Sequence, residues 1–381
     1  MKLEVFDKDT RERIGMIKSY QFSQRINYFN DVGTFTIKIP YIEGIYSIVK
    51  KGNFVLFEDD EIGIIKYIYK IIGKQNTIQI KGFYCKKILN YRVFEKTKNY
   101  DGTKTDVARQ MVADLIINPS LSKRKIDYIK LSEDLKYIPE SDNVTLQVTG
   151  DNLDIAISDM LNEIDYGWDL VPKVVNYDES TDNPTNIESL DFRVIKPTDR
   201  TIGNPDGNTP IVFSMDLNNL SEIISIEDDE LYCSTAFVAG EGEGAERIVV
   251  EAGDTEVSGI DRIELYTDAR DLKSKDSDGN VITQEQYNQK LVQRGNEDLI
   301  DYKSFNFITG LTVPGDFSFK YKKDYFNGDF VSVIDEQTGM QINIQITAVT
   351  ISNDESGELI DLTFGYEKAT MFKLLERKGV I

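Results

Sequence analysis

Alternation of apolar and polar residues dominates both ends of the chain. In residues 34–40 the apolar side chains of Phe35, Ile37 and Ile39 alternate with polar ones, and Pro40 ends the run. A period of two is typical of a strand with one buried face, and proline is tolerated where a strand ends. Residues 1–95 and 304–366 are therefore predicted to form antiparallel β structure.

One strand unit occurs twice, near opposite ends of the chain. Each copy begins with Gly, a polar residue, Phe and Val, continues as a long β-rich segment, and closes with a strand that ends in Gly. The copies comprise 52–55, 61–72, 77–80 and Gly82, and 328–331, 340–351, 359–364 and Gly365. One meander cannot close a sheet on itself, so two copies predict two similar β domains held in a fixed relation. This arrangement suits a ring or an adaptor, and it makes Gly52, Phe54, Gly328 and Phe330 candidate structural or interface residues.

Three segments have the apolar spacing of helices. Residues 107–117 follow a polar stretch that can begin a helix, and Pro119 stops it. Asp151 and Asn152 can cap a second helix. Its apolar face comprises Leu153, Ile157, Met160, Leu161 and Ile164. Thr283 and Gln286 resemble a capping box at the start of a third helix, over 283–300.

The expected fold is mainly β with α+β parts. It consists of two tube-like antiparallel β-barrel domains, a middle α+β domain and a helical insertion. Residues 176–210 are rich in Asn, Asp, Pro and Gly and mark a domain edge. The expected boundaries are 1–98 for the first barrel domain, 99–210 for the middle domain, 211–254 with 302–372 for the second barrel domain, 255–301 for the insertion and 373–381 for a C-terminal tail.

Charge and composition exclude several functions. The 381 residues include 44 Lys and Arg against 65 Asp and Glu, a net charge of −21. This balance disfavours binding to nucleic acid phosphates and to anionic lipid. The chain has no His, so His-dependent nucleophiles, nucleases and zinc sites are excluded within it. No apolar run reaches the length of a membrane span and the first residues do not form a signal peptide, so we expect synthesis in a cytoplasm without membrane binding.

The two cysteines, Cys85 and Cys233, have no zinc-site or CxxC spacing. Both lie in apolar, strand-like contexts. They are predicted to be buried free thiols, since free cysteine is commonly buried.

Gly240, Gly242 and Gly244 fit a dinucleotide-binding pattern only superficially. That pattern requires a helix next, so that the helix N-terminus can hold a pyrophosphate. Here the following residues, 246–254, are typical of a strand, and two glutamates would repel phosphate. A glycine-rich hairpin or bulge loop is the better interpretation, and no cofactor is predicted.

Residues 274–285 partly match a calcium-binding loop. Asp276, Asp278 and Glu285 occupy ligand positions, but Ser274 stands where aspartate is normally required. A solvated turn before a capped helix is the favoured interpretation. We therefore predict no metal site and no catalytic residue, with these three acidic residues as a calcium candidate only.

Two regions closely resemble the tail-hub proteins of tailed phages and phage-like particles. The first comprises residues 238–302, including VAGEGEGAERIVVE and SGIDRIELYTDARDL, and the GDFV strand at 328–331. The second is the opening of the chain, residues 4–40. The resemblance extends over nearly the whole chain and is weaker in 100–210. The resemblance makes Gly240, Gly242, Gly244, Arg262, Asp268 and Arg270 further structural or interface candidates.

What this resemblance implies is a homotrimeric hub at the distal end of a phage tail or contractile injection particle. In such hubs two tube-like domains per chain form a pseudo-six-fold ring that acts as a tube adaptor. Expected partners are the tail tube or a distal tube-adaptor protein, a spike or tip protein, baseplate proteins and the tape-measure protein. No specific nucleic acid is expected. The expected location is the virion tail or baseplate, assembled in the bacterial host cytoplasm. The residues fit contractile and non-contractile tails equally.

A second hypothesis makes the chain a tail-tip cell-wall hydrolase or carbohydrate-binding protein, with 100–210 as the active part. The missing His and catalytic Cys motifs favour the structural hub. If the hub surrounds a channel, its wall should carry more Asp and Glu than Lys and Arg, because a basic wall would retain DNA. Residues 58–61 and 335–336, which are also typical of solvated hairpin turns, are the candidates.

Overall fold

A computed structural model describes residues 3–57, 61–73, 76–178, 183–275, 281–300, 302, 305–312, 318–355 and 357–365. Antiparallel strands make up most of the N-terminal part, as the alternation predicts. The strands are β1 Leu3–Phe6, β2 Arg13–Ile17, β3 Phe22–Tyr28, β4 Thr34–Pro40, β5 Phe54–Leu56, β6 Ile62–Ile71 and β7 Thr77–Tyr84. The short helix α1 (Ile45–Ile48) precedes β5, and the short helix α2 (Lys87–Asn90) follows β7.

The middle part combines strands with two longer helices. Its elements are β8 Lys98–Thr103, α3 Lys104–Val112, β9 Ile129–Leu131, β10 Asn143–Val148, α4 Leu153–Asn162, β11 Gly167–Asp178 and β12 Asn183–Ile195. The Thr103 side chain caps α3 by accepting from the Asp106 N–H, and a π-helical turn over Ala113–Ile117 extends the helix. Strands β8 and β10 pair with each other, and β11, β12 and β9 form a separate sheet.

Helix α4 buries the face that its spacing predicts. Leu153, Ile157, Met160 and Leu161 are all fully buried. Ile164, which the prediction also included, lies beyond the helix end at Asn162 and is only partly buried against the same cluster. They belong to a hydrophobic cluster that also contains Phe54 of β5, as well as side chains of α3, β11 and β12. The middle part therefore shares a core with one face of the N-terminal strands, and the other face of those strands forms a separate cluster.

The C-terminal part returns to β structure. Its elements are β13 Val212–Ser214, β14 Leu220–Asp228, β15 Thr235–Ala239, β16 Val249–Gly253, β17 Glu264–Asp268, α5 Gln284–Ile300, β18 Phe305–Thr312, β19 Phe330–Asp335, β20 Met340–Asp354 and β21 Gly357–Phe364. The Thr283 and Gln286 capping box is confirmed, because each backbone N–H donates to the other side chain.

Strands β15, β16 and β17 differ from the expected organisation. They form their own sheet in the order β16–β15–β17, and α5 packs on it through Tyr287 and Leu291. Residues 255–301 thus contain a strand as well as a helix. That strand pairs in parallel with β15, a strand expected to belong to the second β domain.

The main sheet joins both ends of the chain. Its strand order is β14–β18–β21–β20–β3–β4–β7–β6–β5–β1–β2, with β13 and β19 attached beside β20. The protein is mainly β with several sheets, as predicted. Among the described residues no sheet closes on itself, so the barrel shape that we expected for each β domain is not found in the single chain.

The two strand units share one pairing scheme. We call β3–β4–β7–β6–β5 the first unit and β14–β18–β21–β20–β19 the second unit, each in its pairing order. The Gly52 N–H donates to the Ile65 carbonyl at 2.7 Å, and the Gly328 N–H donates to the Ile346 carbonyl at 2.8 Å. Both glycines have positive φ, 94° and 100°. The predicted equivalence of Gly52 and Gly328 is therefore confirmed.

The units also share an irregularity. The β6–β7 register shifts between Ile65 and Tyr67, and the β20–β21 register shifts between Ile346 and Ala348. Bulges of this kind are specific features that persist among related structures. The closing glycines are not equivalent, because Gly82 lies within β7 opposite Ile65 whereas Gly365 follows β21.

The cysteines differ from each other. Cys85 is buried, and burial raises the pKa of its thiol, whereas Cys233 is partly exposed. Both are free thiols. The prediction of buried thiols therefore holds for Cys85 and is wrong for Cys233. Of the helices that the structure describes, none has the length and apolar character to cross a membrane.

Candidate assembly interface

The two units meet where β20 pairs with β3. The register runs from Ala348 opposite Tyr28 to Asn353 opposite Ser23. Just beyond it, the Phe29 N–H donates to the Thr347 carbonyl at 2.9 Å. The junction is thus a continuous antiparallel ladder, and it fixes the two units in one sheet.

Phe29 is wedged between two glycines at this junction. A Cβ added to Gly328 would lie 2.2 Å from the Phe29 ring, and one added to Gly167 would lie 2.5 Å from the same ring. The ring is buried. Glycine at both positions lets the backbones of the second unit and of β11 approach the first unit closely.

The equivalent glycines allow a matched pair of substitutions. Gly328→Ala should lower the free energy of unfolding by about 2–4 kcal/mol, because strain at positive φ adds to overpacking against Phe29. Gly52→Ala should cost only about 1 kcal/mol, since its Cβ would meet a flexible Lys8 side chain. Urea unfolding of both variants tests this difference, and equal losses would contradict the wedge.

A buried charge cluster lies beside the wedge. The Glu61 carboxylate is nearly fully buried and lies 3.7 Å from an Arg25 guanidinium nitrogen and 2.9 Å from Lys322 Nζ. It also accepts hydrogen bonds from the Tyr84 hydroxyl at 2.6 Å and the Asn27 amide at 2.8 Å. Lys322 lies in the segment that leads into β19 of the second unit, so Glu61 links the two units electrostatically. Residues 58–61 are predicted as candidates for an acidic channel wall, with a solvated hairpin turn as the alternative. The buried Glu61 carboxylate fits neither, and residues 58–60 lie outside the described part.

Lys86 connects the junction to the middle part. Its ammonium donates to the carbonyls of Phe29 at 2.8 Å and Tyr28 at 3.1 Å, and lies 4.8 Å from the Trp168 ring centre. Burial lowers the pKa of Lys86, and the nearby carboxylate of Asp169 opposes that shift. Burial also disfavours the charged form of Asp169, and it therefore raises the pKa of that carboxyl. Two carbonyls at the end of β3 are thereby satisfied inside the protein.

Asp329, the residue after Gly328, holds the segment that leads into the second unit. Its carboxylate accepts from the Thr198 N–H at 3.1 Å and from Arg200 Nε at 2.9 Å. The same carboxylate accepts from the Phe326 N–H at 3.0 Å. The polar residue of the Gly-x-Phe-Val pattern therefore has a structural task that the sequence alone did not reveal.

The other sequence candidates lie in different places. Phe54 is buried in the core shared with the middle part, and Phe330 is half-buried opposite Gln345. Gly240 lies against Tyr287 of α5, where a Cβ would come 2.5 Å from the hydroxyl. Gly242 and Gly244 have positive φ in the loop between β15 and β16. This loop matches the predicted glycine-rich hairpin, far along the chain from the junction.

Arg262, Asp268 and Arg270 form ion pairs on the β15–β16–β17 sheet. Arg262 bridges Glu251 at 3.0 Å and Glu264 at 2.7 Å. Asp268 pairs with both Arg247 and Arg270, and the hydrogen bond from Arg270 holds the pKa of Asp268 down to about 2. The carboxylates and Arg270 are exposed to solvent, whereas Arg247 and Arg262 are mostly covered. Pairs with an exposed partner contribute little to stability.

The calcium candidate gains no support within the described residues. Asp276 and Asp278 lie outside them, and Glu285 is exposed in the first turn of α5. Among the residues that the structure describes, no group of acidic or sulfur ligands is positioned to hold a metal ion.

No local sequence pattern indicates the roles of Phe29, Lys86 and Lys322. Each is an ordinary residue in a loop or at a strand end, and its role depends on contacts with residues far away in sequence. Gly328 is the one local sign of this junction. Its glycine predicts the turn before β19, but it does not predict that the Phe29 ring packs against that turn.

Comparisons with known proteins agree with this geometry. Residues 2–366 match the family model described as Siphovirus ReqiPepy6 Gp37-like protein. The chain belongs to this family. A comparison with curated proteins finds no match.

Solved structures share the fold at low sequence identity. The 43 kDa tail protein of prophage MuSo2 from Shewanella oneidensis has 12% identity and a TM-score of 0.56, covering 96% of this chain and 98% of its own. Prophage tail protein gp18 from Listeria monocytogenes has 13% identity and a TM-score of 0.54, covering 100% and 99%. The tail protein from Neisseria meningitidis has 10% identity and a TM-score of 0.52, covering 96% and 97%. The prediction of a phage tail protein, located in the virion tail, is confirmed.

Proposed function

We propose that this protein is the structural hub at the distal end of a tail, where three copies form a pseudo-six-fold ring. The observation that carries the proposal is the pairing of two equivalent strand units in one continuous sheet through β3 and β20. Three such chains would present six equivalent units. A ring of that kind would match a six-fold tail tube on one side and a three-fold tip on the other.

The proposed partners follow from that position. The ring would contact the tail tube or a distal tube adaptor above and a spike or tip protein below, with baseplate proteins around it. The tape-measure protein would pass through its channel. The net charge of −21 supports a role without specific nucleic acid binding. Each of the two predicted β domains would contribute one unit to the ring, and the middle part with the β15–β16–β17 sheet would lie outside it.

The proposed role is non-enzymatic. A polar cleft of about 430 Å³ lies between β10 and α5, lined by residues that include Asn143, Thr145 and Gln293. Asp101 is the one carboxylate in its lining, whereas most glycoside hydrolases act with a pair of carboxylates. Nothing in this cleft favours the hydrolase alternative over the structural hub.

Mass measurement of the assembled species tests the proposal. Native mass spectrometry of isolated tail tips should detect three copies of the 43.5 kDa chain per tip complex. A single copy in an assembled tip would contradict the ring. A monomer in dilute solution would not, since symmetric rings close by mass action and the tail tube can act as a template.

A further inference from the structure

The β20–β3 junction within the chain provides a template for a contact between copies. The N-terminal part of β20 pairs with β19, and its C-terminal part, residues 348–353, pairs on the same side with β3. Strand β6 is the equivalent of β20 in the first unit. Its N-terminal part pairs with β5 in the same way, at residues 62–64.

The continuation of β6 is an unpaired edge. Residues 67–71 pair with β7 on one side. On the other side, none of the described strands pairs with them. Strand β14, the equivalent of β3, likewise pairs with β18 and with no second strand of the described residues. In the described part of the chain, the two sets of four equivalent strands therefore form one run from β14 to β6. One edge of β14 is unpaired at the start of this run, and residues 67–71 of β6 are unpaired at its end.

We propose that β6 of one copy pairs with β14 of the next copy, in the register that the β20–β3 junction sets. This inference rests on the proposed function for the number of copies, but not for the contact itself. The two edges are different surfaces of the same chain. Their pairing is therefore head-to-tail and produces a ring wherever the rotation between copies closes.

The internal equivalence fixes the register. Phe35 lies opposite Gly82 and Ile308 lies opposite Phe364, so these two residues are equivalent. Their partners across the next ladder, Arg25 and Ser225, are then equivalent as well. Each β20–β3 pair can then be converted to its equivalents in β6 and β14. The pairs Ala348–Tyr28, Thr350–Ile26 and Ser352–Gln24 become Tyr67–Asp228, Tyr69–Ile226 and Ile71–Ile224.

Exposure and charge support this pairing. Tyr67, Tyr69 and Ile71 are 51%, 49% and 46% exposed, and Ile224 is 48% exposed. Large apolar side chains on an unpaired strand are a ready template for another strand, which proteins normally protect or use. The same register also places Lys66 opposite Asp229, because Lys66 is equivalent to Thr347 and Asp229 is equivalent to Phe29, its partner at the junction. Opposite charges across a strand pair stabilise it.

Paired cysteines test the register directly. Hydrogen-bonded pairs alternate with non-hydrogen-bonded ones along an antiparallel ladder, and the Phe29–Thr347 bond makes Gln24 and Ser352 a non-hydrogen-bonded pair. Ile71 and Ile224 occupy the equivalent places in the proposed contact. At such positions the Cα atoms lie about 4.5 Å apart, within disulfide range.

The test variant is Ile71→Cys with Ile224→Cys in a Cys233→Ala background, where Cys85 stays buried. Mild oxidation of the concentrated full-length chain should give disulfide-linked multimers on a non-reducing gel, since covalent trapping accumulates even a minor assembly. Mixing Ile71→Cys chains with Ile224→Cys chains should give dimers only. Gln24→Cys with Ser352→Cys is the matched control, and it should oxidise within one chain.

The outcomes separate the contact from the proposed function. If the test variant stays monomeric while the control oxidises, or if Tyr69→Cys with Ile224→Cys links equally well, the proposed register is wrong. A trimer seen by mass without this cross-link would overturn the contact and leave the hub proposal standing. A cross-linked ladder that passes three copies would support the contact and contradict the trimer.

Discussion

Replacing Ile157 by aspartate will leave most of the protein insoluble or unassembled. Ile157 is fully buried in the cluster that α4 shares with α3, with β11 and β12, and with Phe54 of the first unit. A carboxylate there would be desolvated with no counter-charge, which costs several kcal/mol, a large part of the stability of a typical domain. Because that core joins the middle part to the first unit, we expect both to lose their packing.

Two matched variants control this result. Ile157→Val keeps the site apolar and should cost about 0.5–1.5 kcal/mol, leaving the protein soluble. Ile260→Asp makes the same chemical change at an exposed side chain and should alter stability by less than about 0.5 kcal/mol. Soluble yield and urea unfolding compare the three variants. Normal unfolding of Ile157→Asp would mean that this helix face is not part of the core.

The duplicated strand units could be predicted because their signal is local. A glycine with positive φ before a Phe-Val strand, followed by a long β segment, leaves a pattern in sequence wherever the turn requires it. Gly52 and Gly328 therefore mark equivalent places in the amino-acid sequence itself. The α4 face could be predicted for the same reason, since Leu153, Ile157 and Leu161 follow the period of a helix.

The β15–β16–β17 sheet could not be predicted from local patterns. The short strand Glu264–Asp268 pairs in parallel with Thr235–Ala239, and a parallel pair requires a long crossover that no turn motif marks. The polar residues around it favoured a helical interpretation. Its assignment depends on long-range pairing, which single-sequence reasoning does not contain.

The barrel shape expected for each β domain fails for a physical reason. A sheet closes only when its first and last strands pair, and in the described residues the main sheet runs from β14 to β2, which do not pair with each other. The amino-acid sequence predicts where strands form, but it does not predict which strand pairs with the outer strands of the sheet. A sequence pattern typical of a tube-forming protein is therefore compatible with an open sheet in the single chain.

Replacing Glu61 by alanine will lower the free energy of unfolding by about 3–5 kcal/mol, the usual cost of breaking a buried ion pair. The carboxylate is the shared acceptor for the Arg25 guanidinium, the Lys322 ammonium and the Tyr84 hydroxyl. Its loss removes a carboxylate that pairs with a buried arginine and a contact that crosses from the first unit to the second. Urea unfolding of the purified full chain measures the effect.

A double-mutant cycle shows whether the loss comes from the pair. Glu61→Met with Arg25→Met removes both charges and keeps side-chain volume, so it should be less destabilising than Glu61→Met alone. Glu358→Ala, which removes an exposed carboxylate on β21, should change stability by less than about 0.5 kcal/mol. If the two Glu61 and Arg25 substitutions are simply additive, the cluster is not coupled. The same cycle with Lys322→Met in place of Arg25→Met tests the contact that crosses to the second unit. Additivity there would mean that this ion pair does not couple the two units.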